Sequence, residues 1–97
     1  MAVPVKNILG RIARDLGLSE EDLLKQGLRS FLEQQLRKAN ADIFEICGRY
    51  GVNNVHEMEQ RYKDGSLEEG DSWKDLQRLD HLEFKKDQLS DLLEAVS

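Results

Sequence analysis

The chain has 97 residues, 39% of them hydrophobic and 34% charged, with a formal net charge of -5, one Pro and one Cys. That length makes one domain at most, the apolar share rules out a fully disordered chain, and a lone cysteine excludes an internal disulfide framework. The charge is unevenly spread: residues 1–53 are close to neutral, whereas residues 54–97 hold twelve acids against six bases. This disfavours phosphate contacts in the second half and suits a basic protein partner or a solvated surface.

No apolar run reaches membrane-spanning length, and residues 1–18 lack the continuous apolar core of a signal peptide. A cytoplasmic protein with no membrane contact is therefore expected. After Val3-Pro4-Val5 no proline interrupts the chain, so nothing bars helix. The first predicted helix spans 6–16. Ile8, Leu9, Ile12 and Leu16 share one face, Lys6, Arg11 and Arg14 make the segment basic, and Gly17 closes it. Small Ala13, turn Gly17 and capping Ser19 before Leu23 suit a tight helical corner. The same joint is similar to the turn of helix-turn-helix or ribbon-helix-helix regulators. Two features oppose a DNA-binding regulator. The next helix would open with Glu20-Glu21-Asp22, aiming carboxylates at phosphates. Ala2-Val3-Pro4-Val5 is too short and too apolar for a base-reading strand.

The second predicted helix, 19–50, organises the chain. Leu24, Leu28, Phe31, Leu32, Leu36, Ala39, Ile43, Ile46, Cys47 and Tyr50 fall at steps of three and four, on one stripe. Ser19 with the three following acids forms a helix start, and Gly51 a left-handed stop. Such a helix is roughly 45 Å long, and one short chain cannot cover its stripe. A homodimer is expected, with Leu24, Leu28, Phe31, Leu32, Leu36 and Ile43 as its seam. Cys47 on the stripe reads as a buried, inert thiol. Gly27 beside the leucine patch suggests close approach of another helix, and Gly48 suggests fraying.

Asn53 or Asn54 caps a third helix reaching Lys63, with Val55, Met58 and Tyr62 on one side and Glu57, Glu59, Gln60, Arg61 and Lys63 towards solvent. His56-Glu57-Met58-Glu59-Gln60 misses the zinc-protease pattern, because Gln60 stands where the second His must be. The acidic loop 64–72 lacks the sixth-position glycine of a calcium loop, and Leu67 is its expected anchor to the core. The last helix, 72–95, carries Trp73, Leu76, Leu79, Leu82, Leu89, Leu92, Leu93 and Val96. Its period is blurred by Glu83, Lys85, Lys86 and Asp87, and Phe84 points away from the stripe. It is expected to lie antiparallel on the long helix, with Trp73, Tyr50 and Tyr62 meeting at the corner.

The fold class expected is thus all-α, a long helix with an antiparallel helical hairpin, dimeric through the long helix. It forms one domain over 1–97, divided into an N-terminal helix or arm (1–18), the long helix (19–50) and the remainder (51–97). There is no nucleophile–base pair, metal-ligand cluster or phosphate loop. The chain is accordingly read as no enzyme, with no catalytic residue, cofactor or metal.

The second half resembles a known family. The stretches Arg49-Tyr50-Gly51-Val52, Val55 to Leu67, and Asp71-Ser72-Trp73-Lys74-Asp75-Leu76-Gln77-Arg78-Leu79-Asp80 look like the small helical antitoxin subunits of prokaryotic toxin–antitoxin modules. Those have a long helix ending at Tyr-Gly, a short helix with an aromatic, a Gly-x-Leu loop and a charged last helix. The likeness covers about residues 36–95. It implies a protein that neutralises a basic, RNase-type toxin. The implied contact set is Tyr50, Tyr62, Glu68, Glu69, Asp71, Trp73, Asp75, Leu76, Leu79 and Asp80, with Trp73 at its centre. The competing readings are a helical dimeric scaffold or adaptor of unknown partner and, third, a DNA-binding regulator.

Overall fold

A computed structural model describes residues 4–68 and 70–96, with the side chain of Asp71 outside the description. Four α-helices follow one another: α1 (Val5–Leu16), α2 (Glu20–Tyr50), α3 (Val55–Lys63) and α4 (Asp71–Val96). No strand occurs among the described residues. The all-α expectation and the four helix positions hold to within a residue at each end.

The caps explain that agreement. Gly17 and Gly51 sit at φ 71° and 65°, left-handed backbone that spares a glycine any Cβ clash. The Leu18 N–H donates to the Ala13 carbonyl and that of Val52 to the Cys47 carbonyl, which uses up carbonyls orphaned by each helix end. Ser19 Oγ accepts from the Asp22 N–H at 3.0 Å, and Asn54 Oδ1 from the Glu57 N–H at 2.9 Å. α2 continues through Gly48 to Tyr50.

At 31 residues α2 is roughly 46 Å long, within a molecule measuring 61 × 32 × 16 Å. α4 runs back along it antiparallel, as the pairs Arg49–Asp75 and Asp42–Arg78 show. The core lies between the C-terminal half of α2, α3 and α4. Ile46, Met58 and Leu79 are fully enclosed there, joined by Cys47, Val52, Leu76 and Leu82. Leu67 packs against this cluster and anchors its loop as expected. At the other end α1 folds back on the start of α2, and only Ala13 of α1 is buried.

Within one chain the residues of the expected seam differ in cover. Ile43 packs against the core cluster of its own chain and also lines an open cleft. Leu32 and Leu36 are half-buried, and only Leu24, Leu28 and Phe31 stay exposed. The physical reason is that α4 covers the C-terminal part of the stripe, which the long helix then does not need a partner to cover.

Candidate functional site

The corner between α2, α3 and α4 is fixed by charges that the sequence pattern assigned to solvent. Arg61 of α3 donates to the Tyr50 and Gly51 carbonyls at 2.5 and 2.8 Å. A guanidinium at the C-terminus of α2 satisfies its last carbonyls and opposes the negative end of the helix. Glu83 of α4 accepts from the Val55 N–H at 2.6 Å, and Glu57 from the Asn53 N–H at 2.7 Å. The Glu57 carboxyl is held below its usual range, chiefly by that backbone bond. Glu83 thus interrupts the apolar period of α4 because its carboxylate binds the first turn of α3.

Tyr50 and Asp75 join this framework. The Tyr50 hydroxyl donates to Asp75 Oδ2 at 2.5 Å, and Arg49 reaches the same oxygen at 2.7 Å. The hydroxyl first, and then Arg49, hold the Asp75 carboxyl below its usual range, while the same hydrogen bond raises the Tyr50 phenol. Asp75 Oδ2 is therefore engaged within the chain by both Tyr50 and Arg49. Leu79 drops out of the expected contact set, since its side chain is 0% exposed. An antiparallel α4 must turn this leucine onto Ile46 and Met58. Glu69 and the Asp71 side chain lie outside the described residues. Cys47 is buried, and burial pushes its thiol up, which leaves it un-ionised.

Trp73 behaves differently from every core aromatic. It is 50% exposed at the start of α4, edge-on to Tyr62 with ring centroids 6.4 Å apart. Tyr62 is itself held through its hydroxyl by Ser72, which also donates to the Glu68 carbonyl. Tyr62, Trp73 and Leu76 line a shallow groove whose rim carries Glu59 and Lys63. The expected aromatic corner thus contains Tyr62 and Trp73, whereas Tyr50 is tied to Asp75 instead.

Helical geometry extends the site beyond the residues anticipated. Positions 73, 77, 80, 84, 87 and 91 fall along the outer line of α4. All six, Trp73, Gln77, Asp80, Phe84, Asp87 and Asp91, are exposed, and Phe84 is 69% open. Two aromatics thus stand roughly 16 Å apart on a line whose charges are all acidic. The four Lys and Arg of α4 lie off this line: Lys74 and Lys85 are exposed on its flank, Arg78 turns to Asp42 at 3.4 Å, and Lys86 lines a separate open cleft beside Cys47 and Gly48. Phe84, Asp87 and Asp91 were missed because the last helix was read for its apolar stripe alone; their spacing of eleven, fourteen and eighteen from Trp73 is the signal that finds them. Among the described residues no cluster of His, Cys, Asp or Glu is arranged to hold a metal, and no helix is long and apolar enough to cross a membrane.

The model of the Uncharacterized protein MJ0235 family matches residues 1–97. The chain belongs to the MJ0235 family. The match takes in both the α1–α2 hairpin and the three-helix end, so this family spans the whole four-helix chain. No curated protein and no solved structure matches it.

Proposed function

We propose that this chain is a cytoplasmic binding protein of antitoxin type, which neutralises a basic, RNase-type toxin by covering it with the outer face of α4 and the adjoining Trp73 groove. The observation that carries the reading is the exposure of Trp73 and Phe84 on an all-acidic line. A folded chain that keeps two large aromatics in water at one face has a use for them there, and tryptophan is enriched among residues that dominate binding energy. Asp80, Asp87 and Asp91, with the exposed Glu68, steer a basic surface inward; the rings then slow its departure. The likeness to antitoxin subunits over about residues 36–95 supports the same reading. Glu20, Glu21 and Asp22, exposed at the start of α2, weigh against nucleic acid as the partner.

The test is co-expression with the product of the neighbouring reading frame, which this reading requires to be a small basic protein. Wild-type chain should form a complex and restore growth. Trp73→Ala should cost on the order of 2 kcal/mol of binding, and Phe84→Ala less, while both variants keep their helical spectrum. Rescue at wild-type level by a folded chain carrying both substitutions would remove the α4 face as the contact. A neighbouring product that is harmless alone would remove the antitoxin reading and leave a helical adaptor.

A further inference from the structure

The α1–α2 hairpin presents a second face, far from Trp73, that nothing in the chain covers. Val5, Ile8, Ile12 and Leu16 of α1 are exposed, two of them at 77% and 68%. Leu24, Leu28 and Phe31 of α2 are about half open beside them. Between the helices runs a groove of about 320 Å³ whose lining is apolar apart from Gly27. Gly27 lies inside a helix, where glycine costs stability, yet a Cβ built there meets nothing within 4 Å. No neighbour inside this chain requires the glycine. A backbone arriving from outside would.

Charge identifies that visitor. α1 folds back on the start of α2 through the turn at Gly17, so that Val5, Ile8, Leu9 and Ile12 face Leu23, Leu24, Gly27 and Leu28 across the groove. The turn end carries Asp15, Glu20, Glu21 and Asp22 against Arg11, which pairs with Asp15, and Arg14. The open end carries Lys6, Lys25 and Arg29 against Glu33. All of these side chains are exposed. A surface with an acidic end, an apolar middle and a basic end complements its own copy turned by half a revolution. We infer that two chains pair through this face about a two-fold axis close to Gly27, forming a four-helix bundle in which the turn end of each hairpin meets the open end of the other. The inference is independent of the proposed function, since the groove shares no residue with the outer line of α4.

The experiment is sedimentation equilibrium of the full chain over a range of concentrations, alone and at two salt levels. Wild-type chain should approach twice the chain mass. Ile12→Asp and Leu28→Asp should return it to the chain mass with the helical spectrum and the melting of the α2–α3–α4 core retained. Glu20→Lys with Glu21→Lys should weaken pairing by roughly tenfold at low salt and less at high salt. Adding Lys6→Glu and Arg29→Glu to that variant should restore it, because the two ends exchange sign together. Wild-type chain that stays at the chain mass at every concentration overturns the pairing, as does a paired chain whose mass ignores both Asp substitutions. A chain that stays single by itself, and whose complex with the neighbouring gene product is lost on Ile12→Asp and Leu28→Asp, assigns the face to that partner and also overturns the pairing. Failure of the four-fold variant to recover overturns the two-fold arrangement on which the inference rests.

Discussion

The two ends of α2 have nearly the same kind of sequence and opposite fates. Towards Tyr50, apolar residues at helical spacing meet α3 and α4, and Ile46, Met58 and Leu79 are sealed. Towards Glu20, apolar residues at the same spacing have the short α1 beside them, and Leu24, Leu28 and Phe31 remain about half exposed. Periodicity announces a face that wants cover; it does not say whether the cover is in the same chain. What separates the ends is the polar framework. Arg61, Glu83, Glu57, Tyr50 and Asp75 lock the three-helix corner, whereas among the described residues the hairpin end shows its caps and the long, exposed pair Arg11–Asp15 at 3.9 Å.

The sharpest way to break this contrast is at the buried leucine. Leu79→Ala should lower unfolding free energy by about 2–5 kcal/mol, as loss of a sealed side chain does. Leu28→Ala, in chain dilute enough to be single, should cost less than about 1 kcal/mol, since little burial is lost. Equal losses in chemical denaturation would mean that the hairpin face is packed after all.

Next in size is the Tyr50–Asp75 bond. Tyr50→Phe should cost about 1.5–3 kcal/mol at neutral pH, the range for a hydrogen bond to a charged group. Its pH dependence has a defined sign. The Asp75 carboxyl is lowered in the folded chain, so its stabilisation is complete above the ordinary aspartate range and disappears as pH falls through the lowered value. The Tyr50 phenol is raised, so its share is complete below the ordinary tyrosine range and disappears as pH rises through the raised value. Thermal melts across pH should narrow at both edges in wild type, and Tyr50→Phe should flatten both edges. A variant with unchanged edges would place the pH response elsewhere.

Asn54→Ala follows, with an expected loss of about 1 kcal/mol from an uncapped α3. Melting should show it, with helices α1 and α2 undisturbed. The smallest effect compares the two ends directly. Gly48→Ala should gain up to about 1 kcal/mol, because the site is exposed and empty. Gly27→Ala should gain the same in dilute chain and lose that advantage as concentration rises. Identical gains at all concentrations would make the two glycines equivalent.

The elements of the fold were legible in the sequence because local chemistry marks them. Gly17, Ser19, Gly51 and Asn54 bound helices by their own backbone and side-chain preferences, whatever lies nearby. The candidate site was legible only in part. Trp73 and Asp80 stood out by residue type and remain exposed. Leu79 could not be told from an interface anchor, since a leucine on a stripe looks alike whether its cover is Met58 or a partner. Asp75 and Arg61 read as surface charges because their partners, Tyr50 and the last carbonyls of α2, are brought to them by the turn at Gly51. Phe84 read only as an outlier from the apolar stripe until the direction of that stripe was known.

The position of Trp73 also determines what light can report about this molecule. It is the chain's one tryptophan, half in water and edge-on to Tyr62. Intrinsic emission therefore reads the mouth of a single groove and is nearly blind to the sealed core around Met58. The folded chain should emit at long wavelength and be quenched readily by acrylamide. Unfolding should change it little, while a protein settling on the α4 face should shift the emission to the blue and shield it from the quencher.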